Sequence, residues 1–273
     1  MEYRHILERE GITEIGVLPI SACHILHPHL LARAEKKSGA WLQSVICFLV
    51  PYYTGMGENL SAYAVSEDYH LYMKGVFERI CPLLKNVYLN HEFVGFADHS
   101  PIDERDAVLR TGLAMKGDNR LLIHREYGSF FFVGEILTTL SPESLGYRGE
   151  VPIAECLHCG ACKCACKTGL LAGKSDECLS AVTQKKGMLS QAEIKLIRDA
   201  GSAWGCDACQ TVCPYNKGKL TPIPFFYRAR LARVSRKTVL AMSEEEFARR
   251  AFAWRGKETL LRNLDILESD GTE

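Results

Sequence analysis

The stretch 156–166 reads CLHCGACKCAC, and a second stretch, 205–216, reads GCDACQTVCPYN. The first spaces its cysteines as Cys156-x2-Cys159-x2-Cys162-x3-Cys166. The second runs Cys206-x2-Cys209-x3-Cys213-Pro214, with Cys178 between the two. Such runs supply the thiolates of cubane iron–sulfur clusters, and in two-cluster ferredoxins the last cysteine of one run ligates the other cluster. Two [4Fe–4S] clusters take eight thiolates, and the region holds nine cysteines. Cys164 interrupts the x3 gap without completing a spacing, so it is set aside. The expected ligand sets are Cys156, Cys159, Cys162 and Cys213 for one cluster, and Cys166, Cys178, Cys206 and Cys209 for the other. A chain so equipped moves electrons.

Structural zinc is the plainer reading of paired C-x2-C elements, but a C-x2-C-x2-C-x3-C run is more typical of clusters. A disulfide framework fits less well. The chain is long, opens without a charged-then-apolar signal segment and has no apolar run of membrane-spanning length. One departure is Lys167, which stands where ferredoxin runs usually carry a proline. Clusters and reduced thiols are expected in the cytoplasm. Cys23, Cys47 and Cys81 lie in or near apolar segments and read as buried small hydrophobes.

The 273 residues, 47% of them hydrophobic, suffice for a medium domain and a smaller one. Lys+Arg and Asp+Glu both number 33, so global charge does not imply nucleic acid. Between Lys217 and Met242, however, seven basic residues (Lys217, Lys219, Arg228, Arg230, Arg233, Arg236, Lys237) occur with no acidic one. That stretch is either a phosphate-binding strip or a solvated helix face.

Ahead of the cysteines, strand-like and helix-like segments alternate. Thr13–Ile20 and Ser44–Pro51 read as strands, the second continuous enough to be central. His70–Lys85 reads as a helix that Pro82 should kink or end. Asn86–Ala97 reads as one or two strands, Asp103–Gly112 as a helix stopped by Gly112, and Ser129–Leu140 as a strand. This is the pattern of an α/β or α+β domain over residues 1–150, with helices on its sheet. Residues 151–220 read as the cluster module, with a helix over Ser190–Ala200 between its cysteine runs. Residues 221–273 read as a helical tail, in which Ser243 and Glu246 form a capping box.

Several segments together resemble the epoxyqueuosine reductases. Ser61-Ala62-Tyr63-Ala64 leading to Asp68-Tyr69-His70 is similar to that family's R-Y-A…D-Y-H segment. Asp98-His99-Ser100-Pro101 with Glu104-Arg105 resembles D-x-x-P-x-x-E-R. The segment 112–119 resembles G-L-G-W-I-G-K-N, and 127–137 resembles Y-G-S-W-F-F-L-G-E-L-L. Gly205-Cys206-Asp207-Ala208-Cys209-Gln210 through Asn216 resembles G-C-D-D-C-Q…C-P-W-N, and Leu260-Leu261-Arg262-Asn263 matches L-L-R-N. The resemblance covers nearly the whole chain. It departs where Ala114-Met115 stands in place of the family tryptophan and Asp118 in place of its lysine. The chain is also shorter than typical members ahead of Asp98, and ends soon after Asn263.

The resemblance implies a cytoplasmic oxidoreductase that uses two [4Fe–4S] clusters and cobalamin to reduce epoxyqueuosine to queuosine in tRNA. It implies a reductive-dehalogenase-like, cobalamin-binding N-terminal domain, then a ferredoxin-like double-cluster module and a short helical tail. Asp98 takes the family's proton-donor position, although an aspartate three residues before a proline is also an ordinary turn residue. Tyr63, Tyr69, His70, Asn119, Gly128 and Gly134 are the implied corrinoid contacts, with Gly112 and Gly117 as further points of close backbone approach. tRNA is the expected substrate partner of a monomer that takes electrons from an external donor. Two other readings stay open: a corrinoid reductase of a small molecule, and an electron-transfer protein without a catalytic site of its own.

Overall fold

Eight consecutive buried residues, Ser44–Pro51, form the centre of an antiparallel sheet in this computed structural model, which describes residues 1–269. The strands are β1 (Ile15–Pro19), β2 (Ser44–Pro51), β3 (Phe93–Phe96), β4 (Met115–Lys116), β5 (Leu122–Ile123) and β6 (Phe131–Thr138). Four of them make one sheet in the order β1-β2-β6-β3, and β4 and β5 pair separately. Every pairing is antiparallel, with Cys47 opposite Glu135 and Phe48 opposite Gly134 across the central pair. The chain thus has a mixed α/β fold. The unbroken apolar run of β2 reflects cover on both faces and not a parallel sheet.

Two compact units divide the chain: Met1–Pro51 with His70–Leu157, and Tyr52–Tyr69 with the described residues from His158 onward. The first contains the sheet with α1 (Glu2–Arg9), α2 (Pro28–Ser38), α3 (Tyr69–Val87) and α4 (Glu104–Arg110). One sheet face buries Val45, Cys47, Leu49, Val133 and Leu137 against Ala34 of α2 and Ala107 and Val108 of α4. On the other, the Phe48 ring meets Phe77 of α3 edge-on, centroids 6.1 Å apart. Period-two alternation of side chains along a strand separates these sets.

Helix α3 runs through Pro82, which the sequence reading expects to kink or end it. An interior proline removes a backbone donor and costs about 3 kcal/mol. Tyr72, Met73, Val76, Ile80 and Leu84 are nevertheless buried on both sides of it, and burying each such side chain returns roughly 1.5–3 kcal/mol. Tertiary packing therefore outweighs the break. The helix also takes in Asn86 and Val87, so of the segment 86–97 only Phe93–Phe96 is a strand. Helix α4 starts at an N-cap, Asp103, whose carboxylate accepts from the Arg105 and Asp106 amides.

The second unit is built from short helices: α5 (Ala161–Ala165), α6 (Leu179–Thr183), α7 (Gln191–Ala200), α8 (Ala208–Thr211), α9 (Arg236–Ala241), α10 (Glu244–Ala248) and α11 (Lys257–Glu268). Ser190 and Ser243 each close a capping box, with Glu193 and Glu246. The core gathers Leu60, Val65, Trp204, Val234, Val239, Phe252, Leu260 and Leu264. The basic stretch from Lys217 to Met242 is not one helix face. It is mostly irregular until α9, and Arg233 and Arg236 pair with Glu58 and Asp265. Among the described residues, no helix is long and apolar enough to cross a membrane.

Gly134 tests the packing of the central pair. A Cβ there would lie 2.3 Å from the Phe48 ring, so Gly134→Ala should destabilise the first unit by about 1–3 kcal/mol through overpacking. Thermal unfolding should show a lower midpoint that Phe48→Leu in the same chain partly restores.

Candidate functional site

Asp98 sits at the centre of a three-residue turn just after β3. Its φ is +64°, and the His99 amide donates across it to the Ala97 carbonyl at 2.9 Å. Aspartate tolerates this left-handed region better than most residues, but a turn of this hand is strained. The next amide continues the reversal, Ser100 N–H donating to the Asp98 carbonyl at 2.8 Å. The turn throws the Asp98 side chain outward, where it is 71% exposed and lies 3.9 Å from His70 Nε2. Within its own unit, then, Asp98 is held by backbone and left open to a ligand.

Beside the turn are two acids to which the sequence reading gave no role. Glu135, on β6, is fully buried in the apolar face opposite Cys47. One carboxyl oxygen accepts from the Ser100 hydroxyl, and the other has no hydrogen-bond partner among the described residues. Glu104 opens α4 and is half-buried, and its buried Oε2 has no hydrogen-bond partner among the described residues. Burial above all, with repulsion from Glu104 and Asp103, raises Glu135 to about 8 against the opposing Ser100 bond. Burial, then the Asp98 charge, raises Glu104 to about 7. A signal for Glu135 exists in the sequence: one carboxylate inside the otherwise uncharged run SFFFVGEILTTL.

The other predicted contacts divide between the units. In the first, Asn119 is buried. Its Oδ1 accepts from the Leu121 amide, while Nδ2 has no partner among the described residues. Gly128, with φ +61°, closes a turn through paired backbone bonds with His124, and Gly134 makes room for Phe48. His70 lies beside Asp98. In the second unit, Tyr63 is packed against the core, and its hydroxyl accepts from Trp204 Nε1 at 2.8 Å. Tyr69 is half-buried at the start of α3.

All twelve cysteines are free thiols. Cys23 and Cys81 are partly buried and Cys47 fully so; desolvation lifts Cys23 to about 12 and Cys81 to about 11. In the second unit the structure brings Cys166, Cys178, Cys206 and Cys209 together. Cys206 feels the charges of Cys178 and Cys166, and Cys209 those of Cys206 and Cys178; burial is the larger cause and raises Cys209 to about 12. Cys166 differs. Burial opposes its thiolate, yet the backbone amides of Leu171, Thr168 and Gly169 and the Thr168 hydroxyl outweigh burial and hold it below its usual value. Cys159 and Cys164 are exposed, Cys162 is intermediate and Cys213 is buried. Cys156 ends the first unit, where its amide donates to the Lys116 carbonyl at 3.0 Å and its sulfur accepts from the Asp118 amide at 3.4 Å.

A hydrogen-bond frame surrounds the second cysteine run. Asp207 is buried and accepts from the Ser61 hydroxyl at 2.5 Å, the Ala62 amide at 2.6 Å and Gln210 Nε2 at 3.0 Å. Asn263 Nδ2 donates to the carbonyls of Thr183 and Ala203. These residues belong to the quoted motifs, and here they act as braces.

No protein-family model matches the chain. It is 30% identical over 214 residues to the epoxyqueuosine reductase of Lactococcus garvieae, covering 72% of this chain and 58% of that protein. The match to the Listeria monocytogenes epoxyqueuosine reductase is 30% over 216 residues, covering 73% and 54%. The chain therefore matches little more than half the length of these curated relatives. In structure it is similar to the epoxyqueuosine reductase of Streptococcus thermophilus, with a TM-score of 0.76 and 25% identity over 97% of this chain and 80% of the other. An epoxyqueuosine reductase solved with an epoxyqueuosine-modified tRNA-Tyr stem loop shares the fold, with a TM-score of 0.78 and 23% identity over 97% and 80%.

The buried carboxyls predict the pH dependence of stability. Because Glu135 has its folded value near 8 and an unfolded value near 4.5, the folded chain retains a proton that the unfolded chain has lost between those limits. That contribution is full below about pH 4.5 and declines as pH rises toward 8. Glu135→Gln should flatten the fall in unfolding midpoint between pH 5 and pH 8 relative to wild type.

Proposed function

Because the chain belongs to the epoxyqueuosine reductase family, we propose that it is an iron–sulfur and cobalamin-dependent oxidoreductase that reduces epoxyqueuosine to queuosine in tRNA. The observation that carries the redox reading is the cysteine group of the second unit. The amide donors on Cys166 support it, since hydrogen bonds to sulfur tune cluster potential. Cys166, Cys178, Cys206 and Cys209 hold one [4Fe–4S] cluster in this reading, and Cys156, Cys159, Cys162 and Cys213 the other. Residues 151–220 are then the ferredoxin-like module, residues 221–273 the helical tail, of which 270–273 lie outside the described residues, and residues 1–150 the reductive-dehalogenase-like domain that takes the corrinoid.

Asn119 supports the corrinoid, because its buried Nδ2 suits an acceptor on the amide-bearing rim of that macrocycle. When bound, cobalamin supplies a strongly reducing metal centre that the clusters recharge one electron at a time. Reducing the epoxide breaks two carbon–oxygen bonds, consumes two electrons and two protons, and gives an alkene and water. Asp98 provides a proton to the departing oxygen, and His70, 3.9 Å away, stands where it can steady or replenish that proton. Ligands that cover the turn would exclude water from the Asp98 side chain, which is exposed in the chain by itself. Exposed Lys217, Arg228 and Lys237 are the cations of the basic stretch placed to meet tRNA phosphates.

Two measurements test this reading. Anaerobically reconstituted protein should carry two clusters; Cys209→Ser should lose about half the iron, and Cys164→Ser none. With cobalamin and a reductant, the protein should convert epoxyqueuosine-containing tRNA, and Asp98→Asn should cut turnover at least a hundredfold while keeping its iron. Full cofactor loading without turnover would reject tRNA as the substrate and turn attention to a small molecule.

A further inference from the structure

The turn at Asp98 is strained, its side chain is exposed, and beneath it lies a fully buried acid, Glu135, that the proposed reaction does not use. We propose that Glu135 is a positioning residue that latches the Asp98 turn from beneath through the Ser100 hydroxyl, with the half-buried Glu104 as the neighbouring charge that acts on both. The proposal rests on reading Asp98 as the proton donor, but the latch itself is a property of the fold and can be measured without substrate.

The geometry supplies both ends of the latch. Glu135 is fixed by the β2–β6 register, and Glu104 by its place immediately after the Asp103 N-cap. The turn between them is gripped from beneath, where the Ser100 hydroxyl bonds Glu135. Beyond the turn the chain is tied down again. The Pro101 carbonyl accepts from the Leu26 and His27 amides, and the Asp103 amide donates to the His24 carbonyl. A turn with φ +64° at a non-glycine persists only where its surroundings over-determine it, and these bonds do so. Ser100 is itself buried, 1% exposed, so its hydroxyl cannot exchange Glu135 for water without opening the turn.

The latch depends on charge. Glu104 faces Asp98, Asp103 and Arg105, and Glu135 faces Ser100, Glu104 and Asp103, with the Cys23 and Cys47 thiols nearby. Asp98 and Asp103 are acidic and Arg105 is the basic group of the set. Ionised, the two glutamates would place four carboxylates around one short segment. Neutral, Glu135 can accept the Ser100 hydrogen bond without that repulsion. The turn is therefore held tightly below neutrality and loosens as the pair ionises, which burial places near pH 7 to 8.

Amide hydrogen exchange of the whole protein, followed across residues 97–103, tests the latch. Corrected for intrinsic rates, wild-type protection there should fall about tenfold between pH 6.5 and pH 8.5, the equivalent of one pKa unit. The Glu104→Gln, Glu135→Gln double variant, which can still hydrogen-bond but cannot ionise, should show no such fall. Ser100→Ala should lose protection at every pH, while amides in β2 and β6 exchange as in wild type. Should the double variant fail to fold, the wild-type pH series and Ser100→Ala decide the matter. Protection that is flat with pH in wild type, or unchanged in Ser100→Ala, overturns the latch. Exchange behaving as expected in a protein that does not reduce epoxyqueuosine would uphold the latch and reject only the reading of Asp98.

Discussion

The antiparallel register of β2 on β6 governs where chemistry can stand in the first unit. Side chains alternate along a strand, so a slip of one residue would carry Val133, Glu135 and Leu137 to the opposite face. With Cys47 opposite Glu135 and Phe48 opposite Gly134, the acid points toward α4 and the missing side chain faces Phe48. Both outcomes come from one register. The ring of Phe48 needs the space above Gly134, and the neighbouring position then has no choice of face. Apolar packing on one side of the sheet thus fixes an ionisable group on the other, beneath the turn that bears Asp98.

The second unit is ordered by different physics. Its helices are short, and four residues of α8 or five of α5 could not persist alone in water. What orders them is a small apolar core around Trp204 and buried polar residues that accept or donate several bonds at once. Asp207 joins the segment at 61–62 to the second cysteine run, and Asn263 joins α11 to α6 and to the residue before Trp204. Removing one partner of such a bond leaves a buried group unsatisfied, at about 1–3 kcal/mol. The spacing of Cys206 and Cys209 is therefore held by the protein's own bonds as well as by any cluster.

The strands with strong apolar character were legible in the sequence, since Ser44–Pro51 and Ser129–Leu140 announce themselves by composition. The helix starts at Ser190, Ser243 and Asp103 were legible too, because capping is local chemistry. The passage of α3 through Pro82 was not, because it depends on distant residues packing against both of its halves. Nor was the pairing of the basic stretch, where Glu58 and Asp265 lie far away in sequence. Around Asp98 the motif marked the segment but not its support. Glu135 reads locally as a strand residue, and only the register shows it reaching Ser100.

An acid that must give up a proton at neutral pH has to be neutral there, and burial is the usual means. Burial also removes a side chain from its substrate. In this chain the two demands fall on different residues. Asp98 stays exposed, while Glu135 occupies the dry position. In the proposed reaction a single buried aspartate could not serve a nucleoside carried on tRNA, since the substrate would have to enter the core. An exposed carboxyl on a strained turn, anchored below and covered only when the cofactor and substrate arrive, keeps access and acidity apart until both are needed.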